Sequence, residues 1–457
     1  MRRTRDGLRL WVKMQRERGR ILRHRRVPKD FCVLRLSQFG KHGKGHSMKI
    51  MIIGAGIGGL TTALALHKAG HQVEVFEQVP EIKALGVGIN LLPHAVGVLS
   101  SFGLAPELAR VAIEAQEYVF MNRHGQEILA DARGSTAGYA FPQYSIHRGD
   151  LQMILLAAAQ QALGAEQIRV GHKLASFTQD ERGVDALFTD RAGNERGRFH
   201  ADIMIASDGI HSVVRSHYYP DEGMPLWNGT IMWRGTTVGK PFLTGGSVVK
   251  AGWTSQKFIV YPISRQHADR GEALINWIAD LHFDNTNLME REDWNRPGKI
   301  EDFLPAFESW KFPWLDVPEV IRNAQSVFEF PMVDRDPVAQ WSFGRVVLLG
   351  DAAHPMYPIS SNGATQAIID AQAITESLAS IADPVAALKD FQDKRLPVAS
   401  QIVRMNRQEG PDVILDIVNE RAPDGFKHID DVIAREELLS IVGGYKKAAG
   451  HQQRSAA

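Results

Sequence analysis

The chain has 457 residues, of which 44% are hydrophobic and 23% charged, and its net charge is +1. That length sets a prior of two or three domains, and the composition is that of an ordinary globular protein, which excludes wholesale disorder and a collagen or disulfide scaffold. The single cysteine, Cys32, excludes an intrachain disulfide, a Cys-rich zinc site and dithiol redox chemistry.

The charge is uneven. Residues 1–47 hold 15 of the 53 Lys and Arg but 3 of the 52 Asp and Glu, a net +12 against −11 for the remainder. A nucleic-acid binder carries its basic surface in its folded part, so no nucleic-acid partner is expected. The favoured reading of this basic extension is a mis-set start, with translation from Met48. A targeting peptide or basic arm and a nucleic-acid tail are the alternatives. The apolar run at 50–66 is broken by Gly54, Gly56, Gly58 and Gly59. It is also shorter than the roughly 20 residues a spanning helix needs. No membrane partner and a cytoplasmic location are therefore expected.

The elements follow in chain order. Ile50 to Ile53 is a short apolar run, as in a parallel strand covered on both faces. Gly54-Ala55-Gly56-Ile57-Gly58-Gly59 follows, then a helical pattern from Leu60 to Ala69 that stops at Gly70. Val73 to Phe76 is a second strand, ending in Glu77. This is a dinucleotide-binding fingerprint. Gly54 permits the tight turn, Gly56 lets backbone approach a pyrophosphate, and Gly59 lets helix and strand pack closely. The helix N-terminus suits phosphate, and Glu77 suits ribose hydroxyls.

Asp202 to Ser207 and Arg345 to Leu349 read as further buried strands. They end in Asp208-Gly209 and Gly350-Asp351, where a doubly wound sheet meets its ligands. A helix from about Ala364 to Ser380 then offers a second N-terminus. Between Pro220 and Asp336 the pattern turns to short β-rich segments and holds seven of the nine tryptophans. After Met405 it is helical and polar, with Pro411–Ile417 and His428–Val442 as candidates to cap the molecule or join a homodimer. No metal site is expected, since no H-E-x-x-H run occurs.

The glycine fingerprint, Asp208-Gly209 and Gly350-Asp351 occur in the order and at the spacing of the single-component FAD-dependent aromatic hydroxylases, class A, typified by p-hydroxybenzoate hydroxylase. The chain resembles that family from Met48 to about Met405. A closer likeness is to its phenazine-pathway flavin monooxygenases. It is carried by Leu85-Gly86-Val87-Gly88-Ile89-Asn90, Tyr144 to Gly149, Met232-Trp233-Arg234-Gly235, Tyr261-Pro262-Ile263-Ser264 and Pro331 to Pro337.

The resemblance implies an α/β fold: a Rossmann-like FAD-binding domain over 48–220 and 337–405, a mostly antiparallel β-sheet substrate domain over 221–336, and C-terminal helices and a tail over 406–457. Gly54, Gly56, Gly59 and Glu77 would hold the ADP half of FAD, with Gly88 beside the cofactor. Arg148 would lie near the phosphates, and Leu174 would meet adenine through its backbone. Asp208 would bridge the FAD and NAD(P)H sites, and Asp351 would bind the ribityl or pyrophosphate region. Gly363 and Ala364 would face the flavin edge. The implied activity is insertion of one oxygen atom of O2 into an aromatic or N-heteroaromatic substrate through a flavin C4a-hydroperoxide, with NADH or NADPH as transient donor. His354, Tyr357 and Tyr261 are candidate proton-handling groups. Trp233, Trp253 and Arg234 are candidates for the substrate. The chain departs from the family in carrying Ser360-Ser361 where a further glycine is usual. A dehydrogenase or epoxidase on the same fold, or a non-catalytic FAD-binding protein, are the alternatives; a halogenase is set aside for want of a Trp-x-Trp-x-Ile-Pro run.

Overall fold

A computed structural model describes residues 47–284 and 296–448. The basic extension through residue 46, with Cys32, lies outside the described residues, as does Trp294. Strand β1 (Lys49–Ile53), helix α1 (Ile57–Lys68) and β2 (Gln72–Glu77) open the fold. Strands β3 (Gly88–Leu91), β4 (Glu117–Met121), β5 (Glu127–Ala132) and β6 (Tyr144–His147) lead to α2 (Arg148–Leu163) and β7 (Ile168–Val170). Then come β8 (Lys173–Gln179), β9 (Val184–Thr189), β10 (Glu195–Ala201) and β11 (Ile203–Ala206). The middle of the chain forms β12 (Leu226–Gly239), β13 (Ser247–Trp253), β14 (Gln256–Pro262), β15 (Ala273–His282) and β16 (Ser326–Asp334). The last part forms β17 (Ser342–Phe343), β18 (Val346–Leu348), α3 (Gly363–Ser380), α4 (Pro384–Asn406), α5 (Val413–Arg421) and α6 (Arg435–Ala448).

One sheet runs β17-β18-β11-β1-β2-β7 and is parallel apart from β17. Its inner strands are continuous apolar runs because both faces are covered: Ile50 to Ile53 and Ile203 to Ala206 are all buried. Phe76 on β2 stacks on Phe188 of β9 at 4.2 Å, which seats the small sheet β8-β9-β10 against it. Helix α1 starts three residues earlier than its sequence pattern suggests, because Gly58 and Gly59 belong to its first turn.

The second sheet runs β16-β12-β15-β14-β13-β4-β5. All its pairings are antiparallel except β13 with β4, where Ser247 faces Glu117. Two of its strands, β4 and β5, come from residues that the sequence places among the dinucleotide-binding elements. Helices α5 and α6 pack Ile414, Leu415, Val418, Leu438 and Val442 against Phe120, Ile128 and Leu129 of those outer strands. They therefore cap the end of the sheet. Among the described residues no helix is long and apolar enough to cross a membrane.

Candidate active site

The glycine turn is built for close approach. The Gly54 N–H donates to the Phe76 carbonyl at 2.7 Å. Gly54 has φ +99°, and a Cβ there would sit 2.4 Å from the Ser207 carbonyl oxygen. A Cβ on Gly59 would sit 1.9 Å from the Gly54 carbonyl. Both glycines are thus demanded by the packing of the turn itself. Gly56 is different: a Cβ there would meet nothing within 4 Å, so the space beside it is open. Glu77 binds the turn to the end of β2, accepting from the N–H of Ala55 and of Val79, each at 2.9 Å. A carboxylate has about four acceptor sites, so Glu77 keeps capacity for ligand hydroxyls.

Arg148 and Asp351 are exposed, yet both are held short of bulk water. Burial among surrounding protein pulls the Arg148 guanidinium down, against the pull of Asp351. Burial likewise pushes the Asp351 carboxyl up, opposed by His354 and Arg148. Charged groups that keep accessible surface but lose hydration line a cleft rather than a convex face. Asp208 lies at the end of β11. Its Oδ2 accepts from the Val213 N–H at 2.8 Å, while its Oδ1 is buried without a hydrogen-bond partner. Burial raises this carboxyl, opposed by the Ser212 hydroxyl.

Helix α3 starts at Gly363, whose Cβ position would lie 3.9 Å from Asp351 Oδ1. The N–H groups of Gly363 and Ala364 are among the first four that a helix leaves without an intrahelical acceptor. Ser361 just before it takes a left-handed conformation with φ +56°, the region that favours glycine. The departure from the family glycine therefore keeps a glycine-like backbone at this position. The residues fit a flavin dinucleotide. The open space at Gly56 lies at a helix N-terminus, the orphaned Asp208 oxygen awaits a donor, and a charged cleft ends at a second helix N-terminus.

Strand β3 joins this cleft to the second sheet. The Gly88 N–H donates to Asn276 Oδ1 at 2.6 Å, and the Gly88 carbonyl accepts from Arg234 Nη2 at 2.8 Å and Tyr261 Oη at 2.9 Å. A Cβ on Gly88 would collide with Asn276 and Ile263 at 2.7 Å. Gly88 thus clamps strand β3 to the second sheet. Arg234, Ile278 and Ile259 lie side by side across β12, β15 and β14, with Met232, Asp280 and Lys257 in the next row. Tyr357 and Ile359, from the loop before α3, pack onto Met232, Phe330 and Met332 of this face. The Arg234 guanidinium lies 6.0 Å from the Phe330 ring centroid, and its Nε is buried without a partner.

Trp233 and Trp253 do not join this face. Alternation along each strand turns them to the opposite side. There Trp233 stacks on Phe303 at 4.9 Å and Trp253 packs with Trp310. They are structural aromatics, so the expected aromatic pocket is not built from them. The proton-handling candidates are also occupied. The Tyr261 hydroxyl is committed to Gly88, and burial pushes it up to about 12, so it stays protonated. Burial and the neighbouring Asp334 push Tyr357 well above the usual phenol range, and its Oη lies 3.4 Å from the Leu226 carbonyl. His354 Nε2 lies 2.6 Å from Asp370 Oδ2, whose Oδ1 accepts from Arg395 Nε at 2.7 Å. This buried network braces α3 against α4. Each of the three is bonded to a different partner. Leu174 is buried on β8, paired with Phe188.

Several polar residues of this face escape a sequence reading. Lys250 Nζ donates to both oxygens of Asp412, at 2.7 and 2.8 Å, and to the Ile359 carbonyl at 2.9 Å. Lys257 Nζ reaches Asp412 at 3.1 Å and Glu409 at 3.3 Å. Asp280 is buried, and its Oδ1 has no hydrogen-bond partner. The available signal is a charged residue inside an otherwise apolar strand, as in Val248-Val249-Lys250-Ala251 and Trp277-Ile278-Ala279-Asp280.

Residues 47–230 and 323–406 match the FAD binding domain family. The chain is 42% identical over 361 residues to the phenazine 1,6-dicarboxylic acid hydroxylase PhzS of Lysobacter antibioticus, covering 78% of this chain and 89% of that protein. It is 32% identical over 404 residues to the 3-amino-4-hydroxybenzoate 2-monooxygenase PtnB3 of Streptomyces platensis, covering 85% and 96%. Klebsiella pneumoniae HpxO, solved with FAD and uric acid, shares the fold with a TM-score of 0.67 at 20% identity, covering 89% of this chain and 94% of that one. With its glycine turn, its charged cleft and these relatives, the chain belongs to the family of FAD-dependent aromatic hydroxylases.

Proposed function

We propose that the chain hydroxylates a small aromatic or N-heteroaromatic acid where the cleft meets the Arg234 face. NADH or NADPH would be the electron donor and O2 the oxygen source. The observation that carries this reading is Gly88. Its strand borders the cofactor cleft, and its carbonyl anchors Arg234, which has a buried unbonded Nε. A guanidinium with a free edge suits a carboxylate. The named substrates of the two relatives are aromatic acids, which supports the same class here.

Gly54, Gly56 and Gly59 with Glu77 are assigned to the ADP half of FAD, Arg148 to its phosphates and the Leu174 backbone to adenine. Asp208 is assigned to the border with the NAD(P)H site. Asp351 goes to the ribityl or pyrophosphate region, and the Gly363 and Ala364 N–H groups to the flavin edge. There a helix N-terminus stabilises negative charge. Bound FAD supplies the redox chemistry and the activation of oxygen. The chain's own residues bind, orient and exclude water. Tyr261 holds its proton and fixes Gly88, and Tyr357 and Ile359 close an apolar wall over Met232. We expect a cytoplasmic enzyme, since its electron source is NAD(P)H; a homodimer would appear as a doubled mass in sedimentation.

The test is NAD(P)H oxidation by the FAD-loaded full chain with a panel of phenolic, anilinic and N-heteroaromatic acids, products being read by mass. A compound that accelerates oxidation and gains one oxygen supports the reading. FAD bound with no acceleration by any compound sinks it in favour of a dehydrogenase or a non-catalytic flavin-binding protein.

A further inference from the structure

Asp280 is a buried carboxyl in the middle of the second sheet, on the face that carries Arg234. An unbonded buried carboxylate oxygen is costly, and each such group needs a reason. Lys257 pulls on the Asp280 charge but makes no hydrogen bond to that oxygen. Lys257 already has Asp412 and Glu409, and Lys250 has both oxygens of Asp412. The groups around Asp280 are Met232 and Arg234 from β12, Lys250 from β13, Lys257 from β14, and Glu409 and Asp412 from the turn before α5.

Asp280 and Arg234 are diagonal neighbours on β15 and β12. Such neighbours lie about 7–8 Å apart, the scale of one or two fused aromatic rings. Met232 and Ile278 lie between them on the same face, with Phe328 and Phe330 alongside on β16. The face, with Tyr357 and Ile359 packed onto Met232 and Phe330, is an apolar surface with a cation at one corner and a carboxyl at the other.

We propose that Asp280 is a specificity-determining acceptor for a hydroxyl or amino group on the substrate's aromatic ring, opposite a carboxylate held by Arg234. This rests on the aromatic-acid reading above. The acceptor works best ionised. Burial pushes the Asp280 carboxyl up to about 6, against the pull of Lys257, Lys250 and Arg234. The preference for a ring donor therefore strengthens as pH rises through that value.

The test is equilibrium dialysis of the FAD-loaded full chain with 4-hydroxybenzoate and with 4-methoxybenzoate, which differ by their one ring donor. The wild type is expected to prefer the hydroxy acid by about tenfold at pH 8, the scale of one hydrogen bond to a charged group. Asp280→Leu is expected to bring the two affinities together by weakening that for the hydroxy acid. Asp280→Asn, nearly isosteric, is expected to keep its FAD and lose the pH step. If either variant weakens both ligands equally, or leaves the wild-type preference intact, Asp280 is structural and the proposal fails while the aromatic-acid reading stands. If the wild type binds neither acid, the proposal fails, and the aromatic-acid reading stands or falls by the turnover panel.

Discussion

The Tyr261 hydroxyl donates to the Gly88 carbonyl at 2.9 Å, so a phenol in the position expected of a base instead ties strand β3 to the second sheet. Burial holds this hydroxyl protonated up to about pH 12. Tyr261→Phe should therefore leave the pH dependence of kcat/KM between pH 6 and 9 unchanged. It should lower stability by about 1 kcal/mol, the net worth of one hydrogen bond. Turnover profiles and thermal melts of the variant check both statements.

Gly56 and Gly59 separate cofactor binding from folding. Gly59→Ala forces a Cβ onto the Gly54 carbonyl and should yield little folded protein. Gly56→Ala meets no chain atom within 4 Å and the residue has φ −73°, so the apoprotein should melt within a degree or two of wild type. Its FAD content should still fall severalfold, because the added methyl takes the space assigned to the pyrophosphate. Flavin-to-protein ratios and apoprotein melts decide the matter.

Asp370 sets an acid limit. Burial works against its charge, but His354 and Arg395 hold the carboxyl down at about 2. An unfolded aspartate titrates near 4. The folded value is the lower one, so the stability this group contributes is fully present above about pH 4 and is lost as pH falls toward 2. Asp370→Asn should cost about 3–5 kcal/mol at neutral pH, because it leaves Arg395 buried without its anion. It should also flatten the loss of stability between pH 4 and 2. Denaturant titrations across that range measure both effects.

Trp233 and Arg234 are sequence neighbours on opposite faces of β12, and their substitutions should part accordingly. Trp233→Ala removes a ring stacked on Phe303 and should cost about 3–5 kcal/mol of stability with little change in KM. Arg234→Lys keeps the charge but loses the planar fork, and should raise KM for an aromatic acid by about tenfold with a smaller change in kcat. Steady-state kinetics beside melting curves distinguish them.

The dinucleotide-binding half was legible in the sequence because its signals are local. Ile50 to Glu77 carries a strand, a glycine turn, a helix and an acid within one stretch, and the pieces stand in that order, the helix opening three residues early. Asp208, Asp351 and Gly363 were legible for the same reason, since each follows an apolar strand or opens a helix. Alternation along β12 also separates Trp233 from Arg234, but period two cannot say which face meets the cleft. That choice depends on helical segments such as Phe303 and Phe307 covering one side while the Tyr357–Ile359 loop covers the other. Pairings across long sequence separations were beyond any local pattern. Strands β4 and β5 reach the second sheet from far upstream, and Asp412 reaches Lys250 across 162 residues. The cofactor fold is readable from neighbouring residues, because turn geometry and helix termini are local. Which side chains form the opposing wall, and which are already spent on partners, depends on contacts between distant strands, because burial and hydrogen bonding exist only once those strands have met.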